Sequence, residues 1–265
     1  MKNSGKSIAF ITGATGAIGE AIARNIALDH KYQIVLVVRN ENKVKHVINN
    51  IKAETGNQNV TYKIVDLSYK NEIFQFASEW DKPLHILVNN AAVTPRSRQE
   101  NKNGIELQFA TNVLGYFWMI QAFTERLMQS APSRIVNVAS YWAGGLQIED
   151  LEFKKRNYNN DVAYRQSKQA NRMLSLAFAE RLAKHKVAVV SCHPGDVNSQ
   201  LSNDLGFGGH ETPDEGASTP VWLSTQAFEK LESGKYYAHK RIEHDQFSQN
   251  KKSIEELYDI CNSYT

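Results

Sequence analysis

Only two cysteines occur among 265 residues, Cys192 in an apolar run and Cys261 near the C-terminus. That excludes a disulfide framework and any cysteine metal-ligand spacing, and it fits a reduced, cytosolic-type chain. Proline is scarce, with 6 residues, and no low-complexity tract or linker interrupts the sequence. No apolar run approaches the roughly eighteen residues that a membrane span requires. The polar start, Met1 to Ser7, leads into Ile8-Ala9-Phe10-Ile11, which is too short to span a bilayer and lacks the shape of a signal peptide. A cytoplasmic protein without a membrane anchor is expected. An excess of one charge is also missing, since 31 basic and 28 acidic residues are well mixed and leave a net charge of +3. Without a basic block there is no footprint for nucleic acid or an anionic membrane surface.

What is present is ordinary globular material, 42% hydrophobic and 22% charged, in a chain long enough to bury a sizeable core. Short apolar, β-branched runs at 7–12, 33–38, 60–65, 84–89, 134–139 and 187–192 read as strands. Several are apolar throughout, as parallel strands covered on both faces are. Helical spacing separates them, for example Val44, Val47, Ile48 and Ile51, or Leu174, Ala177, Phe178 and Leu182. The alternation predicts one α/β domain over 1–265, a doubly wound parallel sheet with helices on both faces. Two stretches, 141–163 and 194–220, break the pattern with Gly, Pro and scattered aromatics. Each follows a predicted strand, where open α/β sheets build ligand sites, so both are expected to be substrate loops.

The first strand runs into Thr12-Gly13-Ala14-Thr15-Gly16-Ala17-Ile18-Gly19 and then a helix. Glycines at such a turn let the backbone approach a pyrophosphate, whose charge the helix N-terminus favours. A plain glycine-rich turn is the bland alternative, but the position directly after the first strand favours a nucleotide. A carboxylate about twenty residues on would hold the ribose hydroxyl of NAD. Here the second strand ends instead in Arg39-Asn40, with Lys43 following, and a guanidinium suits the 2′-phosphate of NADP. Asp66-Leu67 follows the third strand, where the aspartate serves as a helix cap or an adenine contact. Asn89-Asn90-Ala91-Ala92 follows the fourth strand, its small residues allowing close approach. The fifth ends at Ser140.

Tyr164 and Lys168 lie four residues apart on one face of a predicted helix. A cation beside a phenol favours the phenolate, which is expected to lower the tyrosine toward the range useful for proton transfer. Taken alone the pair is an ordinary solvated face; Ser140 and the glycine turn give it weight.

With these motifs in order, the chain resembles the short-chain dehydrogenase/reductase family along nearly its whole length, which implies a Rossmann-type fold. The family's glycine motif matches Thr12 to Gly19, and its Asn-Asn-Ala-Gly motif matches Asn89 to Ala92, with Ala92 in place of glycine. Its catalytic set matches Asn112, Ser140, Tyr164 and Lys168. Its Pro-Gly motif matches Pro194-Gly195, followed by Val197 and Ser199, the last standing where threonine is usual. Arg39-Asn40, His193-Pro194-Gly195 and Gly234-Lys235-Tyr236-Tyr237 are similar to the retinol dehydrogenase and WW-domain oxidoreductase branch. The resemblance implies NADP(H) as cofactor, bound by Gly13, Thr15, Gly16, Ala17, Ile18, Gly19, Arg39, Asn40, Asp66, Leu67, Asn89, Ala91, Tyr164, Lys168, Pro194, Gly195, Val197 and Ser199. No metal is implied. A hydride would pass between the nicotinamide and a carbonyl or alcohol. Tyr164 would be the acid–base group, Ser140 would hold the oxygen, and Asn112 would hold a water leading from Lys168 to solvent. An NADP-binding redox sensor without turnover is the competing reading.

Ser140 and Tyr164 are 24 positions apart (164 − 140), about twice the family's usual spacing. The residues between them include Tyr141, Trp142, Leu146, Phe153 and Tyr158, which form either rim packing or an apolar wall for a moderately hydrophobic substrate. Leu201, Leu205 and Phe207 are expected to form a lid opposite. The insertion is also expected to obstruct pairing through the Tyr–Lys helix, which favours a monomer over a homodimer.

Overall fold

The computed structural model describes residues 5–264. In chain order the first half runs β1 (Ser7–Thr12), α1 (Ala17–Ala27), β2 (Tyr32–Val38), α2 (Glu41–Thr55), β3 (Val60–Ile64), α3 (Lys70–Ser78) and β4 (Ile86–Asn89). A π-helical turn over Phe109–Leu114 then passes directly into α4 (Gly115–Gln129), followed by β5 (Ser133–Val138). The second half holds α5 (Asn160–Leu182), β6 (Val187–Cys192), α6 (Gln200–Asp204), α7 (Pro213–Thr225), β7 (Tyr236–Ala238), β8 (Arg241–Glu243) and α8 (Lys251–Ser263).

The strands form one sheet in the order β3-β2-β1-β4-β5-β6-β7-β8. All neighbours pair in parallel except β7 with β8. Alternate residues of β1 serve opposite faces, as the two-residue period of a strand requires. Phe10 joins the core under α3, α4 and α5, stacking on Phe76 at 5.2 Å and meeting Phe123 edge-on at 5.1 Å. Its neighbour Ile11 joins the opposite core with Ile22 of α1, Ile48 of α2 and Leu223 of α7. Burial on both faces explains why these strands are apolar along their length. The order reverses between β1 and β4, and a crevice therefore opens above their C-terminal ends.

Four elements depart from the sequence expectation. The strands β7 and β8 have three residues each, too few for an apolar run to register. Helix α7 begins inside the expected 194–220 loop, at Pro213, and runs on to Thr225. Its start is a capping box, with Thr212 and Glu215 bonded reciprocally and Pro213 in the first turn, but Gly216 and Pro220 interrupt the helical signal. Helix α8 lies along α5 and α4. Tyr258 sits between Phe117 and Phe178 at 5.1 and 5.3 Å, Arg181 pairs with Glu255 at 2.6 Å, and Gln121 donates to Asn262 at 2.8 Å. Among the described residues, no helix is long and apolar enough to cross a membrane.

Candidate active site

Helix α5 starts where it does because Asn159 accepts a hydrogen bond from the Val162 amide at 3.0 Å, an N-cap. One turn later Tyr164 and Lys168 share a face that looks onto the end of β5. Lys168 donates from Nζ to the Val138 carbonyl at 2.8 Å, and the same nitrogen lies 5.6 Å from the centre of the Tyr164 ring. Both side chains are deeply buried, at 8% exposure for Tyr164 and 2% for Lys168. Ser140 stands two residues past Val138, also buried, its hydroxyl accepting from the Trp142 amide at 3.1 Å.

Burial decides the protonation of the pair. It pushes the Tyr164 phenol up to about 12; a hydrogen bond with Ser140 opposes this, and the negative charge of Asp196 adds to it. Burial likewise pulls the Lys168 amine down to about 7, against a smaller upward pull from Cys192. The expected lowering of the phenol by the lysine does not appear: burial raises it, and Ser140 rather than Lys168 opposes the rise. Desolvation acts on both groups, and an amine near half-neutral at pH 7 offers only part of a charge. The phenol rests as a proton donor.

A cleft of about 550 Å³ runs from the glycine turn past Tyr164 to α6. Gly13 has φ +65° there, and a Cβ on it would come 2.6 Å from the Ala91 Cα. A Cβ on Gly19 would collide with the Gly13 carbonyl. These two glycines therefore hold the turn tight against β4 and α1. Thr12 locks it further, its hydroxyl accepting from the Asn90 and Ala91 amides at 2.8 and 3.1 Å. The Gly16 N-cap of α1 makes no side-chain cap bond, and Ala17 and Ile18 line the cleft, so the positive helix end faces it. At the end of β2, Arg39 is exposed, lines the cleft and is in no ion pair among the described residues. The donor set fits a dinucleotide: a phosphate cradle at α1 and a free cation twenty residues further on.

The family profile for short chain dehydrogenases matches residues 7–206. The chain belongs to the short-chain dehydrogenase/reductase family. Retinol dehydrogenase 11 of Mus musculus is 33% identical to it over 246 residues, spanning 87% of this chain and 77% of that protein. Such relatives place this oxidoreductase in the retinol dehydrogenase-like branch. An uncharacterized protein from Mycobacterium Paratuberculosis shares the fold, with a TM-score of 0.81 at 23% identity over 97% of this chain and 92% of that one. A metagenomic short-chain oxidoreductase solved in complex with NADP aligns with a TM-score of 0.64 at 25% identity, covering 87% of this chain and 96% of that one.

In this short-chain dehydrogenase/reductase the cleft gathers most of the residues singled out from sequence. Gly13, Thr15, Gly16, Ala17, Ile18 and Gly19 line one end, Arg39, Asp66, Leu67 and Ala91 the middle, and Tyr164, Lys168, Pro194 and Ser199 the other end. Asn40, Asn89, Asn112, Ser140, Gly195 and Val197 do not line it, although Ser140 lies next to the lining residue Ala139. Asn40 caps α2, accepting from the Lys43 amide at 3.0 Å. Asn89 is buried in the sheet and donates to Asn137 at 2.9 Å. Gly195 faces a separate cavity, and Val197 is buried. Asp66 makes a local turn, accepting from the Ser68 amide at 2.9 Å, and caps no helix. The Ser199 hydroxyl caps α6. Asn112 sits in the π-helical turn, accepting from the Val93 amide at 2.9 Å and donating to the Val93 carbonyl at 3.0 Å. Its side chain thereby ties the π-helical turn to the loop after β4.

Of the two roles open for the insertion's apolar residues, the structure shows rim packing, and none of them lines the cleft. Leu146 packs against the core, Phe153 is buried against Tyr158 at 5.3 Å, and Trp142 packs on Phe207 at 4.2 Å. The insertion folds over the rim because the Asp150 carboxylate gathers the amides of Lys154, Lys155 and Arg156 into a turn. Of the expected lid, Leu201 lines the cleft, whereas Leu205 and Phe207 do not. Asn90 and Thr111 are among the lining residues outside the candidate set drawn from sequence. The Asn90 side chain braces the glycine turn, donating to the Thr12 carbonyl at 2.9 Å. Thr111 brings a buried hydroxyl without a protein partner. In sequence Asn90 belongs to the Asn89–Ala92 motif, whose amides suit irregular carbonyls, whereas Thr111 has only its place beside Asn112.

Proposed function

We propose that this oxidoreductase uses NADP(H) and interconverts the carbonyl and alcohol forms of a moderately hydrophobic aldehyde, ketone or retinal-like compound. The observation that carries the reading is Tyr164, a protonated phenol beside Ser140 and Lys168, at one end of a cleft whose other end offers a glycine cradle and Arg39. A bound NADPH supplies the hydride. Tyr164 donates its proton to the oxygen of the carbonyl as negative charge develops there, and takes it back in the reverse direction. Ser140 donates a hydrogen bond to the same oxygen, which favours the charged transition state. Lys168, anchored on Val138, supplies partial positive charge beside the phenol and holds the cofactor ribose. Arg39, with Lys43 one turn on, holds the 2′-phosphate and sets the preference for NADP. Asn112 secures Val93, part of the cleft wall. Val93, Pro95, Leu107 and Leu201 give the wall an apolar share, which supports a hydrophobic substrate. The cover that α8 provides over α4 and α5 supports a monomer.

Screening NADPH oxidation over aldehydes, ketones, quinones and retinal with the purified chain tests the reading. Turnover with at least one class, and preference for NADPH over NADH, is the expected result. Tight NADPH binding with no turnover of any class would instead identify a redox sensor.

A further inference from the structure

The insertion before α5 brings one polar group to the back of the cleft wall. Tyr158 packs its ring on Phe153 at 5.3 Å and does not itself line the cleft. Its hydroxyl donates to the Pro95 carbonyl at 2.9 Å and accepts from Nε2 of Gln108, also at 2.9 Å. Burial pushes the phenol up to about 12, so it keeps the proton it gives to Pro95 throughout the neutral range.

Gln108 is fully buried at the head of the π-helical turn. Its Nε2 also donates to the carbonyl of Asn160, the first residue of α5, at 3.1 Å. Its Oε1 accepts from Asn112, one turn further on, at 3.3 Å. Asn112 in turn holds both the amide and the carbonyl of Val93. The loop after β4 is therefore gripped twice, at Val93 by Asn112 and at Pro95 by Tyr158, and Gln108 joins the two grips. Val93, Thr94 and Pro95 form cleft wall together with Tyr164 and Leu201. Among the described residues these three make no backbone–backbone hydrogen bond, so side-chain hydrogen bonds set where that wall stands.

We propose that Tyr158 is a positioning residue for the reaction: through Pro95 and Gln108 its hydroxyl holds the 93–95 wall in register with Tyr164 on α5. The inference rests on the function proposed above. The hydroxyl carries the role, because the ring belongs to the rim packing and only the oxygen reaches the wall. Without that oxygen Pro95 loses its partner, and a carbonyl against the wall loses its alignment with the acid–base group. Misalignment of this kind costs rate more than affinity.

Tyr158→Phe in the full chain keeps the ring and removes both hydrogen bonds. With a carbonyl that the wild type reduces, kcat should fall about tenfold, while KM for that carbonyl and Kd for NADPH stay within about twofold. Hydrogen exchange over 92–97, read by mass spectrometry, should quicken about tenfold, with exchange in β1 and β5 unchanged. Gln108→Met breaks the same junction, so the double variant should lose no more than about twofold beyond the worse single variant. Phe153→Leu loosens the rim packing alone; it should lower the urea midpoint and leave kcat within about twofold. Wild-type kcat in Tyr158→Phe, losses that multiply in the double variant, or an equal loss of kcat in Phe153→Leu overturns the inference. Failure of the wild type to turn over any carbonyl would refute the proposed function, while the exchange measurement would still decide whether Tyr158 holds the wall.

Discussion

Lys168 reaches across from α5 and donates to the Val138 carbonyl at 2.8 Å, two residues before Ser140. One hydrogen bond thus fixes the helix that carries Tyr164 against the strand that carries Ser140. It also explains how a lysine with 2% exposure is accommodated, since its nitrogen keeps one strong acceptor after losing water.

Burying that amine has a cost that depends on pH. Its folded value of about 7 lies below the 10.5 of an ordinary lysine, and burial is the main cause. Between those values the unfolded chain holds a proton that the folded chain has shed. Stability should therefore rise with pH across the window and be lowest below 7. Lys168→Met removes this dependence. From pH 7 to 9, wild type should gain up to about 1.4 kcal/mol per pH unit relative to the variant, read from urea midpoints.

Arg39 should control the choice of cofactor. Arg39→Asp replaces an unpaired cation with a carboxylate at the end of β2, favouring a ribose hydroxyl and repelling a phosphate. Losing a charge-assisted contact is worth about 1.5–3 kcal/mol, so kcat/KM with NADPH should fall about tenfold or more while NADH improves. Steady-state kinetics with both cofactors measure this, and an unchanged preference would remove Arg39 from the account.

Much of this site was legible because its signals are local. Gly13, Gly16 and Gly19 lie within one turn, and Tyr164 and Lys168 within one helical turn, so spacing alone places them. Five of the first six strands were legible because both of their faces are buried, although the fourth begins at Ile86 rather than at 84; β3, at the sheet edge, is legible despite leaving Thr61 and Ile64 exposed. What depends on distant contacts was not legible. In sequence Phe153 reads as either rim packing or a substrate wall, and only the turn built by Asp150, which buries it, decides for packing. The shift of Tyr164 and Lys168 follows from tertiary burial, which their four-residue spacing does not report.

Helix α8 should keep the chain monomeric. The insertion before α5 was the sequence argument for a monomer, but α8 is what covers α4 and α5. Light scattering should return a mass near 29.9 kDa. Leu257 of α8 is fully buried in the core, so Leu257→Ala should cost about 2–5 kcal/mol in denaturant unfolding. A mass near twice the chain's would show that this face is shared with a second copy.

The most direct test of the central claim is the steady-state rate of Tyr164→Phe with a carbonyl that the wild-type protein reduces. The buried phenol is the proton donor, so kcat should fall by roughly 10²- to 10⁴-fold with NADPH affinity unchanged. Wild-type turnover by the purified variant would contradict the account.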